Sequence, residues 1–297
     1  MSKKKTIQSS AVALLLWLVA CVPSLGQSEN DTIFVDGIAY LKLSASDSTV
    51  EVAGRLNDSG NKSSVNIPPF ILYQGKHYAV TSIGYGAFFY QEEIQSVTLP
   101  ESIKTIGYAA FFGCSHLKEI KIPLQVETIG SFAFVDTNIT SLFIPRSVLM
   151  IGDSSFSGCQ QLQSIEIDSL CPNYKVIDGV LYTKDGKELI SYPAGKRDKV
   201  FVIPEQVTQM GCMAMKGSIA LECVYFPSGI TTLANEFFKD CLHLKELHVK
   251  IKDPQPANEF RDMFLPPQSV ILYCPKGTAE KFKKLYGWSC FKEIKEE

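Results

Sequence analysis

Histidine and cysteine are the residues of this sequence from which catalysis or metal binding could be expected. The chain has 4 histidines and 9 cysteines among 297 residues. It contains no Gly-x-Ser-x-Gly nucleophile motif, no His-Glu-x-x-His zinc motif and no glycine-rich phosphate loop. No two cysteines have the Cys-x-x-Cys spacing of a zinc site. We therefore expect a non-enzymatic protein with no catalytic residue, no cofactor and no metal site.

Internal repeats are the elements that must position these residues. Ile-Gly pairs begin at Ile83, Ile106, Ile129 and Ile151, so successive pairs are 23, 23 and 22 residues apart. A second apolar run follows each pair and has the form Leu-x-x-Ile-x-Ile-Pro, which predicts a strand with alternating inward and outward side chains. A fixed period in the twenties is typical of a solenoid, in which stacked coils bury one continuous core. The turn between the two runs is closed in each repeat by a large apolar residue: Phe88, Phe111, Phe134, Phe156, Met215 and Phe238.

The repeat is shown best by residues 103–125, IKTIGYAAFFGCSHLKEIKIPLQ. It resembles the BspA-type leucine-rich repeats of bacterial surface and secreted proteins, and the similarity extends over roughly residues 65–275. The resemblance implies a repeat solenoid of the leucine-rich-repeat type, a β-rich α/β fold with about six regular repeats of 22–23 residues plus irregular coils. For function it implies adhesion to host or neighbouring-cell components, whereas the residues alone imply only an extended surface.

We expect the chain to be divided into an export signal, two blocks of repeats and three other segments. In chain order, all six segments are a signal peptide at 1–26 (1–20 in a lipoprotein), a β-rich N-terminal cap with the first coil at 27–79, leucine-rich repeats at 80–170, a β-hairpin insert with a returning coil at 171–206, further repeats at 207–252 and a C-terminal cap at 253–297.

The N-terminus has the features of an exported bacterial protein. Lys3, Lys4 and Lys5 precede an apolar run over residues 11–20, which is too short to span a bilayer comfortably. The sequence Leu-Val-Ala-Cys ending at Cys21 resembles a lipobox, whose cysteine would be a lipid anchor. Cleavage before Gln27 is the alternative. The first route places the protein on the cell surface or outer membrane, and the second in the periplasm or medium.

Both caps and the insert are expected to contain regular structure. Alternation predicts strands at 34–40 and 48–52, and a hairpin turn at 74–76. In the insert, two turn signals at Asp178-Gly179 and Asp185-Gly186 predict a hairpin of 180–183 with 188–192. A final strand at 270–275 and a helix at 278–286 should follow, with Trp288 and Phe291 packed against the helix.

Three cysteines share one repeat position, directly after the turn. Cys114, Cys159 and Cys241 alternate there with Thr137 and Ser218, which predicts a column of buried, structural thiols. Cys114 and Cys159 are two coils apart, about 10 Å at strand spacing, which is beyond disulfide reach.

The remaining cysteines are not in this column. Cys274 falls on an inward position of the last strand and Cys290 in the cap, where a disulfide between them stays open. Cys171, Cys212 and Cys223 have no obvious partner.

The outward side chains of the second strand of each repeat form the surface of interest. In leucine-rich solenoids such a row lines the concave face that commonly binds ligands. Aromatic residues in it suit contact with a protein or a glycan, although Tyr225 and Val202 could instead pack under the insert. The outward row is Asn66, Thr98, Lys121, Phe143, Glu166, Val202, Tyr225, His248 and Tyr273, of which we assign partner binding to Lys121, Phe143, Glu166, Tyr225, His248 and Tyr273.

Three hypotheses for function follow. The first is an exported, monomeric binding or adhesion protein with an extracellular protein or glycan partner. The second is a structural or assembly role in the cell envelope, for which the lipid on Cys21 would matter. The third is a glycan-processing enzyme or accessory, with Glu119 and Glu166 about 10 Å apart, at the outer edge of the carboxylate spacing of inverting glycosidases. The net charge of −2 provides no basic surface for nucleic acid or for anionic lipid.

Overall fold

The structure is a computed structural model that describes residues 32–43, 48–55, 63–230, 232–233, 236–254, 269–285 and 288–297. The expected signal segment and Cys21 lie outside these residues. In the described part of the chain, no helix has both the length and the apolar character that crossing a bilayer requires.

These residues form a β-solenoid of about 8 turns with little helix, as the repeats predicted. Most strands are two to four residues long, because each coil contributes only a short segment to each wall. The strands are β1 Thr32–Val35, β2 Ile38–Lys42, β3 Thr49–Arg55, β4 Ser64–Asn66, β5 Phe70–Tyr73, β6 Lys76–Ile83, β7 Ser96–Thr98, β8 Thr105–Ile106, β9 Glu119–Ile120, β10 Thr128–Ile129, β11 Leu142–Ile144, β12 Met150–Ile151, β13 Ile165–Ile167, β14 Tyr174–Ile177, β15 Val180–Thr183, β16 Glu188–Ser191, β17 Val200–Val202, β18 Gln209–Met210, β19 Cys223–Phe226, β20 Thr232–Leu233, β21 Glu246–Val249, β22 Ile271–Cys274 and β23 Glu293–Glu296.

The N-terminal cap differs from the prediction of a single strand over 34–40. The chain reverses at Asp36 and Gly37, both with positive φ (49° and 77°), so β1 and β2 pair antiparallel. Asp-Gly between two apolar segments is a strong hairpin signal, which the alternation of apolar residues obscured. The other two predictions are confirmed: β3 covers most of 48–52, and β5 and β6 pair antiparallel around the predicted turn.

The Ile-Gly runs form a parallel ladder of β6, β8, β10 and β12, and Ile83, Ile106, Ile129 and Ile151 occupy the same register position. The glycine after each isoleucine is required by the close approach of the next coil. A Cβ on Gly107 would lie 2.8 Å from the backbone of Gly84, and one on Gly130 would lie 2.6 Å from the backbone of Gly107.

The turns after these glycines form a second wall, the turn wall. Its buried phenylalanines stack along the axis: the ring centroids are 5.2 Å apart for Phe88–Phe111, 5.3 Å for Phe111–Phe134 and 5.8 Å for Phe134–Phe156. Two of the three repeat-position thiols lie beside this stack. Cys114 donates to the carbonyl of Phe88 and Cys159 to that of Phe134, at 3.0 and 3.1 Å. The predicted column of free, buried thiols is therefore confirmed, and Cys241 completes it.

The insert contains three strands and not the two of the predicted hairpin. β14, which the prediction missed, pairs antiparallel with β15, and β15 pairs antiparallel with β16. β16 then runs parallel to β18, so the insert also continues the Ile-Gly ladder of the second repeat block. The Tyr174 hydroxyl accepts a hydrogen bond from the Ile151 backbone N–H at 2.7 Å, which satisfies the edge of β12.

On the turn wall, the coils on either side of the insert touch directly. Ser154 and Ser157 donate through their hydroxyls to the carbonyls of Cys212 and Met213, at 2.8 and 2.9 Å. Behind this wall the buried apolar side chains form two clusters, one running from Ile33 to Leu181 and the other from Val180 to Phe291.

The C-terminal cap contains helix α1, Ala279–Lys284, within the predicted span. As expected, Trp288 packs on it, with its ring centroid 5.0 Å from that of Phe282. The strand β22 is not the last one, because the charged segment β23 pairs with it in parallel. Cys274 keeps a free thiol, which donates to the Lys295 carbonyl at 3.3 Å. The side chain of Cys290, with which a disulfide was left open, lies outside the described part of the chain.

Candidate functional site

The strand wall that carries the outward row is divided into three sheets: β4-β7-β9, β11-β13 and β17-β19-β21-β22-β23. Lys121 follows β9 and is exposed. Phe143 and Glu166 are register partners in the second sheet, and both are exposed. The six predicted binding residues therefore do not meet in one site. The third sheet brings together the remaining three.

Tyr225, His248 and Tyr273 occupy one register position on β19, β21 and β22. Their rings stack: the centroids of Tyr225 and His248 are 4.4 Å apart at an interplanar angle of 17°, and those of His248 and Tyr273 are 4.4 Å apart at 4°. We call these three residues the ring ladder. Parallel strands lie about 4.8 Å apart, so in-register rings reach stacking distance without distortion.

The three rings of the ring ladder are half-buried, and a different residue lies next to each end of the stack. At one end the Lys295 ammonium lies 6.0 Å from the centre of the Tyr273 ring. At the other end the row continues with Val202, which is 62% exposed. The interpretation that Val202 packs under the insert is therefore wrong.

Charged residues border the ring ladder. Glu222, just before β19, accepts hydrogen bonds from Lys199 and Lys245 at 2.8 and 2.5 Å. These two ammonium groups lower the pKa of the Glu222 carboxyl to about 2. Lys199, Glu222 and Lys245 thus form a row of alternating charge directly before β17, β19 and β21.

A second row of outward residues runs beside the ring ladder, and two of its members approach His248. Cys223 lies directly opposite Glu246 across β19 and β21, and one ligand atom from each of Cys223, Glu246 and His248 lies within 4.8 Å of the other two. Burial raises the pKa of the Cys223 thiol, and a hydrogen bond with the Tyr225 side chain opposes part of that rise. Sequence analysis left Cys223 without a partner and expected no metal site. The sequence predicts that the two rows are neighbours, but sequence analysis did not compare the ligand types of Cys223, Glu246 and His248 across them.

Glu119 and Glu166 do not form a paired-carboxylate site. Glu119 lies in β9 and aligns with Ser96, whereas Glu166 lies in β13 and aligns with Phe143. The two carboxylates are exposed, in different sheets and in different rows. This arrangement gives no support to glycoside hydrolysis.

Sequence analysis also missed a second pair of stacked, exposed aromatic residues. Tyr85 and Tyr108, each directly after an Ile-Gly pair, are 48% and 41% exposed, with ring centroids 5.1 Å apart. Their equal position in adjacent repeats was the available signal. This pair lies at the start of the turn wall and provides a comparison for the ring ladder.

A protein-family model described as the BspA-type leucine-rich repeat region matches residues 81–179 and 197–255 in 6 copies. Among solved structures, a leucine-rich repeat protein from Eubacterium ventriosum is similar at 17% identity and a TM-score of 0.54, over 88% of this chain and 83% of the other. A leucine-rich repeat protein from Bacteroides ovatus is 22% identical, with a TM-score of 0.46, over 89% and 76%. The pneumococcal vaccine antigen PcpA is 18% identical, with a TM-score of 0.43, over 90% and 98%. No curated protein sequence matches the chain.

Proposed function

Since the chain belongs to the BspA-type leucine-rich repeat family, whose fold implies a role in protein interaction at surfaces, we propose that it is an exported, non-enzymatic binding protein whose ring ladder contacts an extracellular partner. The observation that carries this proposal is the in-register stack of Tyr225, His248 and Tyr273 on the outward face. Aromatic side chains held in place before binding lose little conformational entropy when a partner docks.

The stacking geometry favours a protein over a glycan as the partner. The two tyrosine rings cover both faces of the His248 ring, and each tyrosine has one face against the histidine. The Lys295 ammonium also lies over the Tyr273 ring. A sugar that stacks on an aromatic residue needs an uncovered ring face, whereas ring edges and phenol hydroxyls can contact protein side chains and backbone groups. Aromatic residues in the centre of an interface commonly provide most of its binding energy.

Export is the second part of the proposal and rests on the N-terminal residues alone. Lys3, Lys4, Lys5 and the apolar run that follows direct the chain across the inner membrane, and either Cys21 is lipidated or the chain is cleaved before Gln27. Fatty-acid labelling of cells that produce the chain, with Cys21→Ala as the control, distinguishes the two routes. Recovery of the unprocessed chain in the cytoplasm would contradict export altogether.

Binding is tested with the chain from residue 28 onward, applied to immobilised extracellular matrix proteins and to a glycan array. The double variant Tyr225→Ser/Tyr273→Ser removes both phenols of the ring ladder. The matched control is Tyr85→Ser/Tyr108→Ser, which removes a stacked, exposed pair of the same composition from the start of the turn wall. We expect the unmodified chain to bind a protein. Tyr225→Ser/Tyr273→Ser should lower the affinity at least about tenfold, and the control should keep it. The circular dichroism spectra of both variants should match that of the unmodified chain.

Three results would contradict the proposal. Equal binding by both variants would remove the ring ladder from the site. Binding to glycans alone would replace the protein partner by a sugar. Turnover of any glycan on the array would restore the enzymatic hypothesis.

A further inference from the structure

Three side chains on the outward face of the C-terminal sheet have the chemistry of a transition-metal site. Cys223, Glu246 and His248 offer a sulfur, a carboxylate oxygen and an imidazole nitrogen, all within 4.8 Å of one another. Two features of the strands produce this proximity. Cys223 and Glu246 are register partners, and Glu246 and His248 are two residues apart on β21 and therefore on one face.

The orientation of His248 is fixed by Glu297. Its Nδ1 lies 3.0 Å from both carboxylate oxygens of that residue. An ionised carboxylate can only accept hydrogen bonds, so the proton of a neutral imidazole resides on Nδ1. The other nitrogen, Nε2, then carries a lone pair. This is the arrangement of carboxylate, histidine and metal that recurs at zinc sites.

The surroundings of Nε2 give an independent indication. The atom is buried and has no hydrogen-bond partner among the residues that the structure describes. The carboxylate oxygen Oε2 of Glu246 lies 3.5 Å from it. A lone pair that faces a carboxylate is unfavourable unless a cation lies between them, and that cation is either a proton on Nε2 or a metal ion.

We propose that Cys223, Glu246 and His248 bind Zn²⁺ or a similar divalent transition-metal ion, with Glu297 as a positioning residue that orients the imidazole. A set of one thiolate, one imidazole and one carboxylate excludes Mg²⁺ and Ca²⁺, which take oxygen ligands. Zinc binds each of these three groups at about 2.0–2.3 Å, so the ligand atoms must close to roughly 3.5 Å from one another. Glu246, whose side chain is 44% exposed, can make that movement, while Cys223 is buried.

Three protein ligands leave one position of a tetrahedral zinc ion for water or for a side chain of a partner. That position would lie beside the ring ladder, because His248 belongs to both. Metal binding is nevertheless measurable without any partner, so this proposal and the binding function can fail separately.

The test uses the purified chain from residue 28 onward, treated with chelator and titrated with ZnCl₂ by calorimetry. We expect one Zn²⁺ per chain, and no comparable heat with MgCl₂. Titration with CoCl₂ reports the ligands directly, because a thiolate bound to Co²⁺ gives a near-ultraviolet charge-transfer band. Cys223→Ser should remove this band, whereas Cys212→Ser, at a half-buried thiol outside the cluster, should keep it.

Two further variants cover the case in which Cys223→Ser does not fold. Glu246→Gln changes an exposed ligand, and we expect it to weaken Zn²⁺ binding at least tenfold. Glu297→Gln should weaken it by about 10- to 100-fold without abolishing the charge-transfer band, as expected for a residue that acts through His248.

Several outcomes would overturn the proposal. They are the absence of Zn²⁺ binding, a charge-transfer band that depends on Cys212, and equal affinity for Mg²⁺. Another is a nitrogen NMR spectrum in which both His248 nitrogens are protonated at neutral pH and remain so after ZnCl₂ is added. That last result would show an imidazolium held between Glu246 and Glu297.

Discussion

The ammonium group of Lys216 lies 2.6 Å from Asp136 Oδ2, although 80 residues separate the two in the sequence. Gly158 lies beside the pair, and a Cβ at that position would come within 2.1 Å of Asp136 Oδ1. This glycine therefore leaves the space through which Lys216 reaches the coil beyond it. The ion pair joins the two repeat blocks across the turn wall.

We expect Asp136→Asn to destabilise the chain by about 1–3 kcal/mol, because it leaves the buried Lys216 ammonium without its counter-charge. The loss stays below that of a fully buried pair because the Asp136 side chain is 45% exposed to water. Asparagine tolerates the positive φ of this position (56°), so backbone strain does not contribute. Urea unfolding measures the loss. The double variant Asp136→Asn/Lys216→Met should recover most of it, and a double variant less stable than Asp136→Asn would show that the charge is not the cause.

Gly130→Ala tests the close approach of the coils. The new methyl group would meet the backbone of Gly107 and Tyr108 at 2.6 Å, and neither can move without separating neighbouring strands. We expect a loss of about 3 kcal/mol in the free energy of unfolding. Gly54→Ala is the control, because the new methyl group would lie 3.6 Å from its nearest neighbour, an ordinary contact distance. This substitution should lower the free energy of unfolding by less than about 1 kcal/mol. Equal stability of the two variants would disprove the explanation.

Burial raises the pKa of the Cys114, Cys159 and Cys241 thiols to about 12. We therefore expect all three to resist a disulfide reagent at pH 8 in the folded chain and to react after unfolding in urea. Cys212, which is half-buried, should react in the folded chain. Cys212→Ala should therefore reduce the amount of reagent that the folded chain consumes rapidly. Rapid labelling of the other three, identified by mass spectrometry, would contradict the buried column.

The same thiols predict a dependence of stability on alkaline pH. Their folded pKa lies above the unfolded value of 9.0, so their contribution is complete below pH 9 and is lost as pH rises toward about 12. Replacing Cys159 by alanine should reduce the slope of unfolding free energy against pH in that range. An unchanged slope would mean that other groups dominate it.

Tyr174→Phe removes the acceptor of the Ile151 backbone N–H at the edge of β12. An amide left without a partner there should cost about 1–2 kcal/mol. Hydrogen exchange at Ile151 should accelerate, while Tyr108→Phe, at an exposed tyrosine, should leave it unchanged. Slow exchange at Ile151 in the Tyr174 variant would show that another group protects the edge.

The repeats made much of this fold predictable. Because each repeat carries the same apolar positions, the register of Ile83 with Ile106 and the stack of Phe88 on Phe111 follow from the period. The errors occurred where the period is absent. The turn at Asp36 was hidden by alternating apolar residues, and the last strand, Glu293–Glu296, is charged and forms because β22 offers it an open edge.

The candidate site was predicted in part for the same reason. The repeat register placed Tyr225, His248 and Tyr273 in one outward row, among the six residues predicted to bind a partner. Equal positions on adjacent parallel strands must be neighbours, which is why these three meet. The cluster of Cys223, Glu246 and His248 was missed because the search for metal ligands relied on spacing along the chain and did not compare ligand types across the two neighbouring rows, which belong to different coils. The division of the wall into sheets depends on the insert, whose path no repeat pattern specifies.

The direct contact of Ser154 with Cys212 on the turn wall has a consequence for the order in which the chain folds. Contacts between ordinary neighbouring coils close loops of about 23 residues, but this one closes a loop of 58. By the logarithmic dependence of loop entropy, that junction costs roughly 0.8 kcal/mol more to form. The two apolar clusters also divide within the insert, at Leu181 and Val180. Each block can therefore nucleate on its own local contacts, and we expect the joining of the two blocks to follow as a later step in assembling the native chain.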